Sequence, residues 1–257
     1  MSKKIKKSSK SKRQAIREER RQKERQRRIL TIIGIIGIAL ILIGLIMTPS
    51  IRAALAPVGD YVQITSQDWP LANGTAIGDP DAPVLVEVFE DFTCSACKNY
   101  TENIEPLVIT NHAAVGEIYY VFYNYPFLDD NNPIKDSDRA AIASMCAAEQ
   151  NRFWDYHRIL YANLNHTADE FNEKRLAAFA EDLDLEMGEF NKCMKMKDVQ
   201  DEINKDLAKG KEIGVIGTPT VLVNGIDIKP GHVPSYEEIN TAIEAAVAKS
   251  GSQRIGN

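Results

Sequence analysis

Two periods of apolar residues organise most of the chain, and its first 47 residues follow neither. Residues 1–28 carry almost no apolar side chain, whereas Ile29–Met47 is a 19-residue uncharged run of Ile, Leu, Gly and Ala. A run of that length is sufficient for one helical membrane span. Further on, Val84, Val86 and Val88 alternate with Leu85, Glu87 and Phe89, so apolar residues fall on both faces of a predicted strand. Such a strand is expected to be buried between layers of helix. A helix should follow from about Ser95 to Asn111, with Tyr100, Ile104, Leu107 and Val108 as its apolar stripe and a kink at Pro106. Glu117–Tyr125, rich in aromatic and β-branched residues, reads as a second strand beside the first, joined by a right-handed crossover. Tyr61–Ile64 alternates enough to predict a short strand of its own.

From about 136 to 214 the pattern is helical almost throughout. Helices are expected over 137–150 and 151–163, then from a capping box at Thr167-Ala168-Asp169-Glu170 through about Glu181, and near 186–196 and 198–212. Strand signals return at Thr220–Val223 and Ile226–Ile228, joined by Asn224-Gly225, and a last helix spans Ser235–Lys249 with Ile239, Ile243 and Val247 inward. Helices inserted between strands predict an α/β domain with a helical subdomain over one end of its sheet.

Charge divides the chain more sharply than its composition, 44% hydrophobic and 26% charged, suggests. Residues 1–28 hold 14 Lys or Arg against 3 Glu, a net +11, which leaves −16 for the remainder of a chain with a net charge of −5. A basic run of this kind can bind nucleic acid, but the apolar run behind it favours another reading. The head, disordered or loosely helical, stays in the cytoplasm near anionic lipid, and everything after Met47 faces outward. No nucleic-acid partner is expected. Ala54-Leu55-Ala56 offers a cleavage-like site, yet the apolar run exceeds a usual signal-peptide core, so an uncleaved anchor is preferred. Residues 48–74 then serve as linker and lead-in, and 251–257 should fray.

Chemistry concentrates where the first strand meets its helix, at Cys94-Ser95-Ala96-Cys97. Sulfurs three residues apart in a first helical turn can close into a disulfide with little backbone change. The helix N-terminus stabilises a thiolate at the first of them, which makes Cys94 the expected nucleophile and Cys97 the resolving thiol. Half of a zinc site is the rival reading. It needs further ligands at short spacing, and Cys146, Cys193, His112, His157, His166 and His232 form no close pair. Met187, Met194 and Met196 read as packing residues rather than a copper site, and His157 as a structural histidine. With Cys94 and Cys97 assigned to each other, Cys146 and Cys193 either bridge or stay free. An oxidising compartment favours the bridge.

These motifs together resemble the DsbA-like thioredoxin-fold thiol-disulfide oxidoreductases, in their membrane-anchored bacterial branch. The resemblance rests on Gly78-Asp79-Pro80-Asp81-Ala82-Pro83, on Asp91-Phe92-Thr93-Cys94-Ser95-Ala96-Cys97, on Cys146-Ala147-Ala148-Glu149-Gln150 with Phe153-Trp154-Asp155-Tyr156-His157, and on Gly217-Thr218-Pro219-Thr220. It covers roughly 75–250, with the helical insertion at about 136–214. It implies that Pro219 is a cis-proline beside the Cys pair and that the backbone of Thr218 pairs with an extended substrate segment. It implies substrate proteins, reduced or misoxidised, and a quinone-linked membrane partner for reoxidation.

Two departures from the family stand out. Ser95-Ala96 replaces the usual Pro-containing dipeptide, so the redox potential cannot be carried over. Val88 occupies the place, six before the first cysteine, where many members have an acidic proton acceptor, and Glu87 lies one residue away, where alternation points it to the opposite face. Glu87 is kept as a candidate for proton transfer. The reading is an extracytoplasmic, membrane-anchored oxidoreductase introducing disulfides through Cys94 and Cys97, with no bound cofactor or metal. An isomerase or reductase on the same site, a metal-binding or metal-delivery protein, and a redox-silent module binding peptides at Thr218-Pro219 are the alternatives.

Overall fold

A computed structural model describes residues 2–55, 58–129, 133–167 and 169–255. The chain divides into two units, residues 1–57 and 58–257. The first unit is one helix, α1 (Ser2–Leu55). Within it Glu19–Gly44, 26 residues, is long and apolar enough to cross a membrane by length and composition. Its Ile and Leu side chains from Ile29 to Ile43 are exposed, as they would be on a helix whose solvent is lipid. The basic head continues this helix. The helix also runs through Leu55, past the start expected for the linker, while Ala56 of the cleavage-like site lies outside the described residues.

The second unit is built on one mixed sheet of six strands among the described residues: β1 (Ala72–Asn73), β2 (Ala76–Gly78), β3 (Leu85–Glu90), β4 (Tyr119–Asn124), β5 (Thr220–Val223) and β6 (Ile226–Asp227). Their spatial order is β1-β2-β4-β3-β5-β6. The apolar strand is central: β3 runs parallel to β4, from Leu85 opposite Tyr119 to Glu90 opposite Asn124, and antiparallel to β5. Asn224 (φ 48°) and Gly225 (φ 76°) supply the two left-handed residues that a tight β5–β6 hairpin requires.

The expected strand at Tyr61–Ile64 does not form. Its backbone is bound to helices instead: Val62 N–H donates to Asn163 Oδ1 at 2.7 Å, and Tyr61 packs edge-on to Phe179. Alternating apolar residues fit any half-buried extended segment, so they could not say whether a strand edge lay alongside.

After the Cys pair the helix breaks earlier than expected. Helix α2 (Ser95–Asn103) ends at Ile104, whose φ of −120° departs from helix; α3 (Glu105–Val108) follows, with Pro106 in its first turn, and then a π-helical turn, Ile109–Ala113. Proline has no N–H for the preceding turn, so a new helix start accommodates it better than a kink does.

The inserted block comprises α4 (Asp136–Ala148), α5 (Phe153–Ala162), α6 (Glu173–Asp182), α7 (Met187–Cys193) and α8 (Lys197–Glu212). Helix α6 starts later than the capping box suggested. Asn172 is its cap, accepting from Arg175 N–H, while Glu170 accepts instead from the amides of Asn165 and His166. The last helix, α9 (Tyr236–Ile255), runs past Lys249, into residues expected to fray.

The two faces of β3 meet different layers. Val86 and Val88 enter the main core with Phe92, Phe122, Phe153 and Ile159, whereas Phe89 joins Tyr125, Val215 and Leu222 in a smaller cluster. There α8 comes so close that a Cβ on Gly210 would lie 2.5 Å from the Tyr125 ring. Tyr125 cannot easily yield, because it is buried and donates its hydroxyl to Val215 O at 3.0 Å. Gly210→Ala should therefore destabilise the domain by about 1–3 kcal/mol through overpacking, despite the better helix propensity of Ala. Urea unfolding of the two proteins measures it.

Candidate active site

Strand β3 ends at Glu90, and four residues later the chain enters α2. Asp91, almost fully buried, holds that turn: its carboxylate accepts from the N–H and hydroxyl of Thr93, from the Ser137 hydroxyl and from Leu128 N–H. Cys94 therefore arrives as the N-cap of α2, in extended conformation (φ −88°, ψ 120°). An N-cap side chain faces the unbonded amides of the first turn. Here that side chain is a sulfur.

Cys94 and Cys97 are free thiols in unlike surroundings. Cys94 is half-buried and Cys97 fully buried. The Cys94 thiol is lowered to about 6, first by a hydrogen bond from Cys97 and then by Thr218 and the amides of Cys97 and Ala96, against a desolvation that opposes it. Burial pushes Cys97 well above the usual thiol range, and its bond to Cys94 and the nearby charge of Glu90 push the same way. One sulfur is thus a stabilised thiolate and the other a held proton.

The Thr218–Pro219 peptide bond is cis, and the loop that carries it lies against Cys94, with Thr218 O 3.3 Å from Cys94 Sγ. That carbonyl can accept only from the thiol form of Cys94. Thr218 also helps to lower the Cys94 thiol, and its own hydroxyl is buried with no hydrogen-bond partner among the described residues. The helical block closes over the other side of α2: Ser95 Oγ is 2.8 Å from His166 Nε2, and Lys98 Nζ donates to Leu164 O at 3.0 Å.

The family profile described as thioredoxin matches residues 71–245. The chain belongs to this family and is a DsbA-like thiol-disulfide oxidoreductase. Its relatives include the probable disulfide bond formation protein D of Bacillus cereus, 26% identical over 82% of this chain and 92% of that protein. Among solved structures, alpha-DsbA1 of Wolbachia pipientis superposes with a TM-score of 0.60 at 20% identity, covering 72% of this chain and 96% of that one. Oxidised BdbD of Bacillus subtilis gives 0.59 at 24% identity, covering 74% and 100%. At these identities the two structures speak for the fold.

Glu87, the candidate for proton transfer, is placed away from the Cys pair. Glu87 shares its face of β3 with Phe89 and points to α8, where Lys209 Nζ lies 2.6 Å from its carboxylate and also bonds Tyr123. The strand alternation that places Val86 and Val88 toward Cys97 places Glu90 there too, two residues beyond Val88. Glu90 is buried and takes hydrogen bonds from Tyr161 (2.8 Å) and Thr101 (3.3 Å). Desolvation first, and then Glu105, raise it well above the usual carboxylate range. Glu90, Glu105 and His157 place their ligand atoms within 4.8 Å of one another, a donor set that could hold a cation. Counting residues by β parity would have found Glu90, but nothing in the sequence brings Glu105 or His157 to it.

Cys146 in α4 and Cys193 in α7 are bonded, with an S–S distance of 2.04 Å and Cα atoms 5.6 Å apart. This bridge fastens two helices 47 residues apart within the block that covers the Cys pair. Replacing both by Ala should cost about 2–5 kcal/mol, because the unfolded chain regains the freedom of that loop. Thermal unfolding should report the loss, while alkylation of Cys94 in the folded variant keeps its pH dependence.

Proposed function

We propose that this DsbA-like oxidoreductase works outside the cytoplasm, tethered by the apolar part of α1 with its basic head inside, and introduces disulfides into substrate proteins. In this reading residues 1–28 are a cytoplasmic tail, 29–47 the membrane span, 48–74 the linker and lead-in, 75–250 the catalytic domain and 251–257 a tail. The observation that carries it is the asymmetry of the two thiols beside the Thr218–Pro219 loop, one lowered to about 6 and the other raised by burial.

Oxidised, the pair exposes the Cys94 sulfur to a substrate thiolate, and a mixed disulfide forms as Cys97 leaves. A second substrate thiolate then attacks the substrate sulfur of that bond, which forms the substrate disulfide and releases Cys94 as thiolate; in reduction Cys94 instead attacks a substrate disulfide, and Cys97 gives its proton to Glu90, attacks Cys94 and releases the substrate thiolate. The same steps read in either direction, so the direction depends on which redox state the protein stabilises. A folded-state pKa below the ordinary thiol value stabilises the reduced form. That contribution is complete above the unfolded thiol pKa and is lost as pH falls through about 6. At neutral pH it favours the reduced pair, which makes the oxidised pair an oxidant. The Thr218 carbonyl, which the Cys94 thiolate cannot engage, is free to pair with an extended substrate backbone. A membrane partner that accepts electrons from Cys94 and Cys97 would complete the cycle. An isomerase uses the same residues, and a less oxidising potential would favour that reading.

Three outcomes are expected. Alkylation of Cys94 in the reduced protein should show a pH midpoint near 6, where an unperturbed thiol gives about 8.5. Equilibrium with a glutathione buffer should give a potential less negative than about −200 mV. Oxidative refolding of a reduced secreted protein must be lost in Cys94→Ser; full activity there would remove Cys94 as nucleophile.

A further inference from the structure

Beneath Cys97 the domain buries more acid than the exchange described above uses. Glu90 on β3 and Glu105 on α3 are both buried, and no cationic side chain is bonded to either among the described residues. Glu105 Oε1 accepts from Tyr120 at 2.8 Å, as Glu90 Oε2 does from Tyr161. His157 Nδ1 lies 3.7 Å from Glu105 Oε2. That imidazole is caged by Phe92, Phe122, Phe153, Trp154 and Tyr161, and burial lowers it to about 3, so it stays neutral beside the acids. Two carboxylates this close in so dry a site cannot both be ionised.

The pair is not sealed. A groove of about 360 Å³ reaches it from the surface, lined by Ile64, Trp69, Thr101, Glu105, Arg158 and Tyr161 among others. Thr101 and Tyr161 are the two hydroxyls that bond Glu90, and Glu105 is itself part of the lining. Neither cysteine, nor Thr218 or Pro219, lines it.

We propose that Glu90 and Glu105 act as one carboxyl–carboxylate unit, which takes the proton leaving Cys97 and passes it through Glu105 to this groove. Substrate and proton would then use separate openings. This rests on the oxidoreductase reading and adds to it a second carboxyl and an exit. In the resolving step the Cys97 S–H bond breaks and its proton goes to the ionised carboxylate of the unit. The sulfur electron pair forms the Cys94–Cys97 bond, and the substrate sulfur departs as thiolate from the broken mixed disulfide. Reduction reverses each transfer.

Burial gives the unit suitable basicity. Glu105 is raised to about 8, closer to a buried thiol than an ordinary carboxylate would be, and so a stronger base for it. The groups that face the unit are Cys94, Cys97, Tyr100 and Thr101 of the Cys-pair segment, Tyr120 of β4, and His157 and Tyr161 of α5, with Asp91 next in the chain and Arg158 at the groove. Glu90 Oε1 and both His157 nitrogens have no hydrogen-bond partner among the described residues, so a divalent cation on these side chains is the competing outcome that the test below separates from a relay.

The test uses the full-length protein loaded at Cys94 with a peptide in mixed disulfide, and follows peptide release by Cys97 against pH. In the wild type the rate should rise through about pH 8 and level off. In Glu105→Gln the carboxyl that titrates at about 8 is gone and Glu90, which burial by itself holds up, is left as the base, so the midpoint should leave pH 8 and the plateau should fall by about 10-fold. Ala162→Phe, which narrows the groove, should lower the plateau and keep the midpoint, and it serves where Glu105→Gln fails to fold. Infrared difference spectra on reduction should show a protonated carboxyl band in the wild type that Glu105→Gln alters. Unchanged pH profiles in both variants would overturn the relay. So would stoichiometric zinc or manganese binding to Cys94→Ser/Cys97→Ser that Glu105→Gln abolishes. Loss of the oxidoreductase reading itself would show separately, as peptide exchange persisting in Cys94→Ser.

Discussion

Everything at the site depends on where one sulfur stops and a helix begins. Cys94 caps α2, so its thiolate faces amides that have no other partner, and the reverse arrangement, with the sulfur one turn inside the helix, would face carbonyls spent on the ladder. Cys97, one turn in, receives none of that stabilisation and is buried as well. The difference in acidity between two identical side chains is therefore a difference in position along 5 Å or so of helix. Asp91 fixes that position, since its four hydrogen bonds leave the β3–α2 turn little freedom.

The tertiary structure adds a ceiling and a floor to this helix end. The ceiling is the Thr218 loop, delivered by β5 through its antiparallel pairing with β3, which offers a carbonyl to the Cys94 thiol. The floor is acidic: Glu90, and behind it Glu105. An acid under a resolving thiol needs a strand position whose side chain faces the same core, and β parity allows any even step from Val88. Here the acid stands one such step further along, at the end of the strand, where Tyr161 from the helical block can bond it. The insertion is thus part of the site and not only a lid over it.

The block itself needs support, because its helices pack on each other more than on the sheet. The Cys146–Cys193 bridge ties α4 to α7, and Asp155 on α5 gathers the lead-in by accepting from Ser66, Gln67 N–H and Trp69 Nε1. These contacts explain why residues 61–69 run along helices instead of forming the predicted strand.

By itself the sequence determined whatever depends on near neighbours. The 19 uncharged residues of the apolar run, the two-residue period of β3, the Asn-Gly hairpin and the Cys-x-x-Cys helix start are all local patterns, and all are visible as such. A resemblance carried by four separated motifs gave the fold and the chemistry. The tertiary structure alone decided which groups meet across the chain. It set Glu87 against Lys209 and Glu90 toward Cys97, moved the start of α6 to Asn172 because Glu170 bonds other amides, and brought Glu105 and His157 to Glu90. The physical reason is that a side chain's pKa and partners are set by burial and by groups distant in sequence, whereas backbone preference is set within a few residues.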